Sequence, residues 1–542
     1  MERHGHRPVV ADLGQIVVGR SSAQADIHLH TLTLGRGHNR RSSYSRAKMP
    51  SAVPDAHASG SARFSPPSVS TNALDPFVSR ELAYEICRLA WPVLIAQLAV
   101  MAYAVIDTMM AGRFATDDLA AVGIGASIYF SVFVALMGVL LAVSPTVAQL
   151  LGAGRYGEIG EQVRQAMWLT LTLALVSILL FRYPEPLLTM SKAPPVVADK
   201  VRAYLAIAAW GAPAGLAFRL FASYTTAVSL PRVMMALNLL GLTLKVPLTW
   251  IFTFGHLGAP AMGAAGCALS TTLVNWIICV LAWLWCGLSP AYRHHRVFSR
   301  WSWPRWGDQW RLTALGVPIG MTFLVDVTAF TFMALFIARL GAVNSAAHQI
   351  AANVAAVMYM LPLAMGNAVG VLVGQAIGAR KFTLARSTGV TGIVLALALA
   401  ALSGATLILG ASAVAAFYTY DASVQALAAT LLVLVAGYHV FDALQAVTVS
   451  ALRGYKRAVV PLLINAGGLW GVGLAGGYVI GLTDALDLSA AGLTAPLGVP
   501  GFWAAATAGM LVADAGIIIY FLVESFPRHA RARADFEDLA AK

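Results

Sequence analysis

Five ionisable side chains stand inside long apolar runs of this 542-residue sequence: Asp107, Lys245, Asp326, Asp442 and Asp514. An acid at the centre of a helix in hydrocarbon costs about 2.5–3.5 kcal/mol, so each needs a reason to be there. Asp442 has company on its own helical face, with Tyr438 four residues earlier and His439 three residues earlier. A phenol and a carboxylate stacked in this way would share a sodium ion or a proton. The plainer reading is an acid hydrogen-bonded inside a bundle. Asp326, in Phe323-Leu324-Val325-Asp326-Val327, has no polar neighbour in its own turn, so any partner must come from another helix. If that partner is Asp442, two carboxylates compete for one proton or cation in a low dielectric, as a coupled switch requires. Asp107, beside Thr108 and before Ala111-Gly112, lies near the outer end of its run, where an acid reaches water. Functional and packing readings of Asp107 both stand, whereas Asp514, with no motif around it, reads as packing. Lys245, in Leu244-Lys245-Val246-Pro247-Leu248-Thr249, has three readings: snorkelling, pairing with an acid, or acting as a fixed internal cation. His256, His348 and His439 read as packed hydrogen-bonding residues.

The elements that must position these groups are membrane helices. The chain is 58% hydrophobic and only 11% charged, with mean hydropathy +0.71, which excludes an ordinary soluble domain. Twelve apolar runs are long enough to cross ~30 Å of hydrocarbon. They fall near 89–111, 120–144, 164–182, 201–222, 234–254, 263–285, 313–338, 348–374, 389–409, 424–447, 458–480 and 502–524. Two stretches 226 residues apart match without a gap: Pro92 with Pro318, Ile124 with Ile350, Gln149 with Gln375, and Gly152-Ala153 with Gly378-Ala379. Leu257-Gly258-Ala259-Pro260 recurs as Leu497-Gly498-Val499-Pro500. The reading is an all-α membrane protein, twelve transmembrane helices in two pseudo-symmetric six-helix lobes, as in many secondary transporters. Six spans per half give the halves one orientation. The expected organisation is an N-terminal extension over 1–80, an N-lobe over 81–286, a linker over 287–312, a C-lobe over 313–525 and a tail over 526–542.

The net charge of +12 is a topology signal and does not indicate nucleic acid. Loops after the even-numbered spans carry Arg155, Arg232, Arg293, Arg296, Arg300, Arg305, Arg380, Lys381, Arg386, Arg453, Lys456 and Arg457, and the tail adds Arg528, Arg531 and Arg533. Odd-numbered loops carry Arg113, Arg182, Lys192, Lys200 and Arg339, offset by Asp117, Asp118, Glu185, Asp421, Asp484 and Asp487. Both termini and the even loops are therefore expected in the cytoplasm. Cys87, Cys267, Cys279 and Cys286 lack metal or disulfide spacing and read as packing residues. Residues 1–80, rich in Ser, Arg, His, Pro and Gly, read as disordered. Two readings stand for them, a basic cytoplasmic tail and a mis-assigned upstream start with Met49 as one candidate true start. Trp301, Trp303, Trp306 and Trp310 among arginines give the linker the pattern of a helix at the lipid headgroups.

At these residues the chain resembles the multidrug and toxic compound extrusion (MATE) transporters, in particular the bacterial NorM-like branch. The motifs are Pro92-Val93-Leu94-Ile95-Ala96-Gln97, Ile106-Asp107-Thr108-Met109-Met110-Ala111-Gly112 and Asp118-Leu119-Ala120-Ala121-Val122. The second half supplies Ala346-Ala347-His348-Gln349-Ile350-Ala351, Tyr359-Met360-Leu361-Pro362-Leu363 and Ala451-Leu452-Arg453-Gly454-Tyr455-Lys456. The likeness covers residues 85–525. It implies two lobes around a central cleft opening alternately to either side, and export of cationic or aromatic drugs and dyes against entering sodium or protons. It further implies a C-lobe cation-coupling cluster of Asp326, Asp442, Tyr438 and Tyr359, the first three holding sodium if sodium is the ion. Asp107, Asp326, Asp442, Gln97 and Asn353 are the substrate-binding residues it implies. No cofactor besides the coupling ion is expected. Partners are drugs and membrane lipids, the chain is expected to be a monomer, and the place is a bacterial inner membrane.

Two departures from the family pattern matter. The seventh span has Asp326 where Glu is common, one methylene shorter. The fifth span has Lys245-Val246-Pro247-Leu248-Thr249 where Asn-x-Pro-x-Asn is usual, making Lys245 and Thr249 an atypical N-lobe pair. This puts an N-lobe cation site in question and bears on substrate charge preference. The rival reading is a lipid-linked oligosaccharide flippase of the same superfamily, which would need several intramembrane bases to hold a pyrophosphate. A membrane enzyme has no support, since no metal-ligand set, nucleophile–base pair or nucleotide loop appears in the spans.

Overall fold

The computed structural model describes residues 79–191, 194–485, 496–527, 529–532 and 535. The N-terminal extension to residue 78, and Lys192, Asp487, Arg528 and Arg533 of the loop-charge argument, lie outside the described residues. Ala, Leu, Val and Gly dominate the runs, and in hydrocarbon a backbone of such residues satisfies its own polar groups by closing into helices. The twelve spans are α1 (Arg80–Phe114), α2 (Thr116–Gly152), α3 (Tyr156–Arg182), α4 (Pro195–Ala227), α5 (Pro231–Phe254), α6 (Ala264–Leu288), α7 (Trp306–Ala338), α8 (Ala342–Gly378), α9 (Phe382–Tyr418), α10 (Ala422–Gly454), α11 (Val459–Leu482) and α12 (Val499–Glu524). Most run past the apolar stretches that announce them, because polar helix ends carry on beyond the hydrocarbon. The first turns of α1 are amphipathic, with Leu82, Ile86 and Leu89 buried and Glu81 and Arg88 exposed.

Several spans depart from a regular helix. A turn at residues 141–142 divides α2 into Thr116–Leu140 and Val143–Gly152. Pro92 and Pro318, the matched pair of the repeat, both lie inside long helices, where each withdraws one backbone donor. Within α11 the segment Gly467–Leu474 is π-helical. Its Gly468 packs on Gly509 of α12, where an added Cβ would lie 2.6 Å from the Gly509 carbonyl oxygen.

The linker differs from the expected headgroup helix. After the short helix Pro290–Arg293 it runs irregularly to α7, with Trp306 and Trp310 already on the first turns of that span. Side chains of α3 take over the backbone bonds that a helix would have made. Arg164 donates to the carbonyls of Arg296 (2.8 Å) and Val297 (2.9 Å), and Gln165 donates to that of Trp303 (2.9 Å). The Arg305 N–H donates to Gln165 Oε1 at 2.8 Å.

The lobes meet at the even-loop ends of their helices. Ile86, Leu89 and Ala90 of α1 share a buried cluster with Val369, Val373 and Ala376 of α8. Gly138 of α2 lies against Gly320 of α7, so close that a Cβ at either would have no room. At the tip of this even-loop end two reciprocal contacts form. Gln149 Nε2 donates to the Gly454 carbonyl at 2.9 Å, and Gln375 Nε2 donates to the Ala227 carbonyl and to Ser229 Oγ, both at 2.9 Å. A Cβ on Gly152 would strike the Gln375 carbonyl, and one on Gly378 would strike that of Gln149. The Gln and Gly that recur 226 residues apart are therefore the residues that clasp the lobes.

Candidate functional site

In the C-lobe, Asp326 is half-buried on α7 and accepts a hydrogen bond from Asn465 Nδ2 of α11 at 2.8 Å. Asn465 is fully buried, and its Oδ1 takes the Gln445 amide of α10 in a short contact. Asp442 lies on α10, 8% exposed, within electrostatic reach of Asp326. Tyr359 of α8 and Tyr438 of α10 lie within reach of both carboxylates. The Tyr438 ring is wedged at right angles against Phe330 and Trp503, with centroids 5.9 and 5.7 Å away. Asp514 of α12 is 2% exposed, electrostatically coupled to Asp442, and neither of its oxygens has a hydrogen-bond partner. His439 faces away, its Nε2 lying 3.1 Å from Ser403 Oγ of α9. Three carboxylates here share one poorly hydrated compartment, with the Arg453 guanidinium in electrostatic reach of Asp326, an arrangement suited to binding a proton or a cation. The adjacent phenols and amides supply neutral oxygens for either.

The N-lobe holds a second cluster. Lys245 of α5 is fully buried, and its Nζ lies 2.6 Å from Asp107 Oδ1 of α1. The same ammonium donates to Thr271 Oγ1 (2.5 Å), Ser270 Oγ (2.9 Å) and the Cys267 carbonyl (3.3 Å), all on α6. Thr249, one turn beyond Lys245, lies 2.8 Å from Ser270 Oγ. At the odd-loop end of the lobe, Asp118 of α2 pairs with Lys200 (2.5 Å) and accepts from the Ala264 N–H (2.8 Å). Asp118 thereby ties α2, α4 and α6 together.

The structure brings Asp326, Asp442, Tyr438 and Tyr359 into one compartment, and Asp107 with Lys245 and Thr249 into another. Gln97 is half-buried on α1, ten residues or about 15 Å of helix before Asp107. Asn353 is exposed on α8, 3.4 Å from Gln349 of its own helix. Neither makes a contact that places it in either cluster. Asp107 does not reach water as expected: it is 7% exposed and bound to Lys245, because α5 and α6 close over it. Asp514, expected as packing, has no packing partner for its carboxylate. Asn465, Gln445, Ser270 and Thr271 escaped the sequence reading, as did Arg219, a partly buried base inside α4 whose Nε has no partner. The intramembrane-charge signal that found Lys245 would have found Arg219 too.

The MatE family profile matches the chain twice, over residues 92–251 and 318–479, beginning at the two prolines of the repeat. The chain is 41% identical over 425 residues to "Probable multidrug resistance protein NorM" of Aromatoleum aromaticum, covering 78% of this chain and 90% of that protein. It is 36% identical over 427 residues to "Multidrug resistance protein PmpM" of Pseudomonas aeruginosa, covering 79% and 88%. Among solved structures, the eukaryotic MATE transporter AtDTX14 superposes with a TM-score of 0.73 at 17% identity, covering 83% of this chain and 98% of that one. The bent form of the Vibrio cholerae MATE transporter VcmN gives 0.71 at 18% identity, with 83% and 98% covered. At these identities the two superpositions establish the fold.

Proposed function

This chain belongs to the MatE family, and from that premise we propose that it is a bacterial multidrug exporter, driving cationic and aromatic compounds out against entering sodium or protons. It is a transporter and not an enzyme. The observation that carries the mechanism is the C-lobe compartment, where Asp326, Asp442 and Asp514 come from three different helices. An ion or proton held among them favours one arrangement of those helices. A cationic drug drawn to the same carboxylates favours another, so the two compete and each shifts the equilibrium that the other uses. One charge entering through ~100 mV contributes about 2.3 kcal/mol from the potential. The membrane is the inner one, and the chain acts as a monomer. The arginine-rich even loops, the clasped end and both termini face the cytoplasm, so the form described is sealed on that side. The flippase reading is left weaker, because the charge of Lys245 is taken up by Asp107 and does not await a pyrophosphate.

The experiment is efflux of a cationic dye from a host lacking its own pumps. The parent chain is expected to lower dye accumulation several-fold. Asp326→Asn and Asp442→Asn are each expected to remove most of that effect at unchanged membrane abundance. Dye retained at host level with the parent chain would refute export of such cargo, whereas full efflux by both variants would refute the site.

A further inference from the structure

We propose that the Lys245 ammonium is the tethered occupant of a monovalent-cation site in the N-lobe, so that this lobe carries its own cation and takes none from solution. Four oxygens face Nζ: Asp107 Oδ1 at 2.6 Å, Thr271 Oγ1 at 2.5 Å, Ser270 Oγ at 2.9 Å and the Cys267 carbonyl at 3.3 Å. A carboxylate, two hydroxyls and a carbonyl form the all-oxygen donor set of a hard cation. An ammonium has three protons to give, one fewer than the oxygens around it. The orientation of the hydroxyls suits a cation as well. Ser270 donates to the Cys267 carbonyl at 2.9 Å, and the Thr271 hydroxyl has that carbonyl (3.0 Å) and Asp107 Oδ2 (3.3 Å) as acceptors, so both hydroxyls keep lone pairs for a cation. The cage is drawn from α1 and α6, and α5 contributes the charge, carried in on the Lys245 stem. A small cavity of about 10 Å³, lined in part by Tyr129, Tyr204 and Asn275, borders the cage through Thr271.

Removing the stem should therefore unmask a sodium site. Sodium binding itself does not rest on the export reading. Its corollary, that all coupling ions bind in the C-lobe, does. The test uses full-length purified protein with Asp326→Asn, Asp442→Asn and Asp514→Asn in the background, so that the C-lobe is silent, and reads radiolabelled sodium bound per chain. The background protein is expected to bind none. Adding Lys245→Ala is expected to create one site per chain, lost again with Asp107→Asn. Sodium, but not choline, should raise the thermal midpoint of the Lys245→Ala protein by several degrees. Lys245→Ser serves as a second variant should alanine not yield folded protein. Absence of sodium binding by either variant, or failure of both to fold in sodium buffer, would overturn the proposal and leave Lys245 a structural ion pair. Dye efflux is not the readout, so neither result bears on the export assignment.

Discussion

Asp514 stands 2% exposed with neither carboxylate oxygen bonded, an arrangement that costs about 1–3 kcal/mol in an unmet hydrogen bond alone. Asp514→Leu is therefore expected to raise the thermal midpoint of solubilised protein while impairing ion-driven efflux. A lower midpoint would mean that the carboxylate has a stabilising partner. His295 makes the opposite case outside the membrane. It is 5% exposed, with the Tyr224 hydroxyl 2.6 Å from Nδ1. Burial, and then the neighbouring His294, pull its pKa from 6.5 down to about 4. The unfolded chain binds a proton below pH 6.5 that the folded chain refuses until about pH 4. Stability is thus complete above that window and falls through it as pH drops, by about 3 kcal/mol. Thermal unfolding of the parent and of His295→Gln from neutral pH to about pH 4 checks this, the variant losing less than the parent. These residues show what a sequence reveals of a site. Asp326 and Asp442 were visible because charge in hydrocarbon is costly and rare. Asn465 and Ser270 were not, because neutral polar groups occur throughout membrane helices and only the fold says which of them converge. The Asp107–Lys245 pair required knowing that α5 lies against α1.

Among the helices, α11 is the one whose geometry the apolar pattern could not announce, since periodicity does not separate a π-helix from an α-helix over eight residues. Its glycines divide by what surrounds them. Gly467 and Gly471 have open space where a Cβ would go, whereas Gly468 and Gly473 abut α12. Gly471→Ala is expected to stabilise the protein by up to about 1 kcal/mol through helix propensity. Gly468→Ala, with a Cβ 2.6 Å from the Gly509 carbonyl oxygen and 2.8 Å from Ala513 Cβ, is expected to cost about 1–3 kcal/mol. Opposite shifts in the thermal midpoint would bear this out; equal shifts would mean that α11 slides freely on α12. The linker teaches a related lesson. Its tryptophans suggested a surface helix, yet Arg164 and Gln165 of α3 hold its backbone in an irregular path, and a loop's bonds to distant side chains leave no local periodicity.

At the scale of the whole chain, the lobes are joined where Gln149 and Gln375 each reach across. Each of the three cross-lobe bonds contributes about 1 kcal/mol, so Gln149→Ala with Gln375→Ala is expected to shift the balance toward separation at the even-loop end by roughly a hundredfold. Spin labels at Gly157 and Lys381 would report it as a gain in the longer-distance population; an unchanged distance distribution would show that apolar packing alone keeps this end shut. The architecture was the legible part: twelve spans follow from length and hydropathy, and their doubling from a register that needs no structure to see. What the register could not tell is why Gln and Gly, of all matched positions, are retained. Each half offers the other the same pair of groups, a carboxamide to reach out and a bare α-carbon to be approached. That is the isologous contact two separate six-helix chains would make about a two-fold axis. Doubling one six-helix unit carries both partners of that contact into each half at once, so the joint comes ready-made while the buried charges differ, Lys245 with Asp107 in one half and three acids in the other.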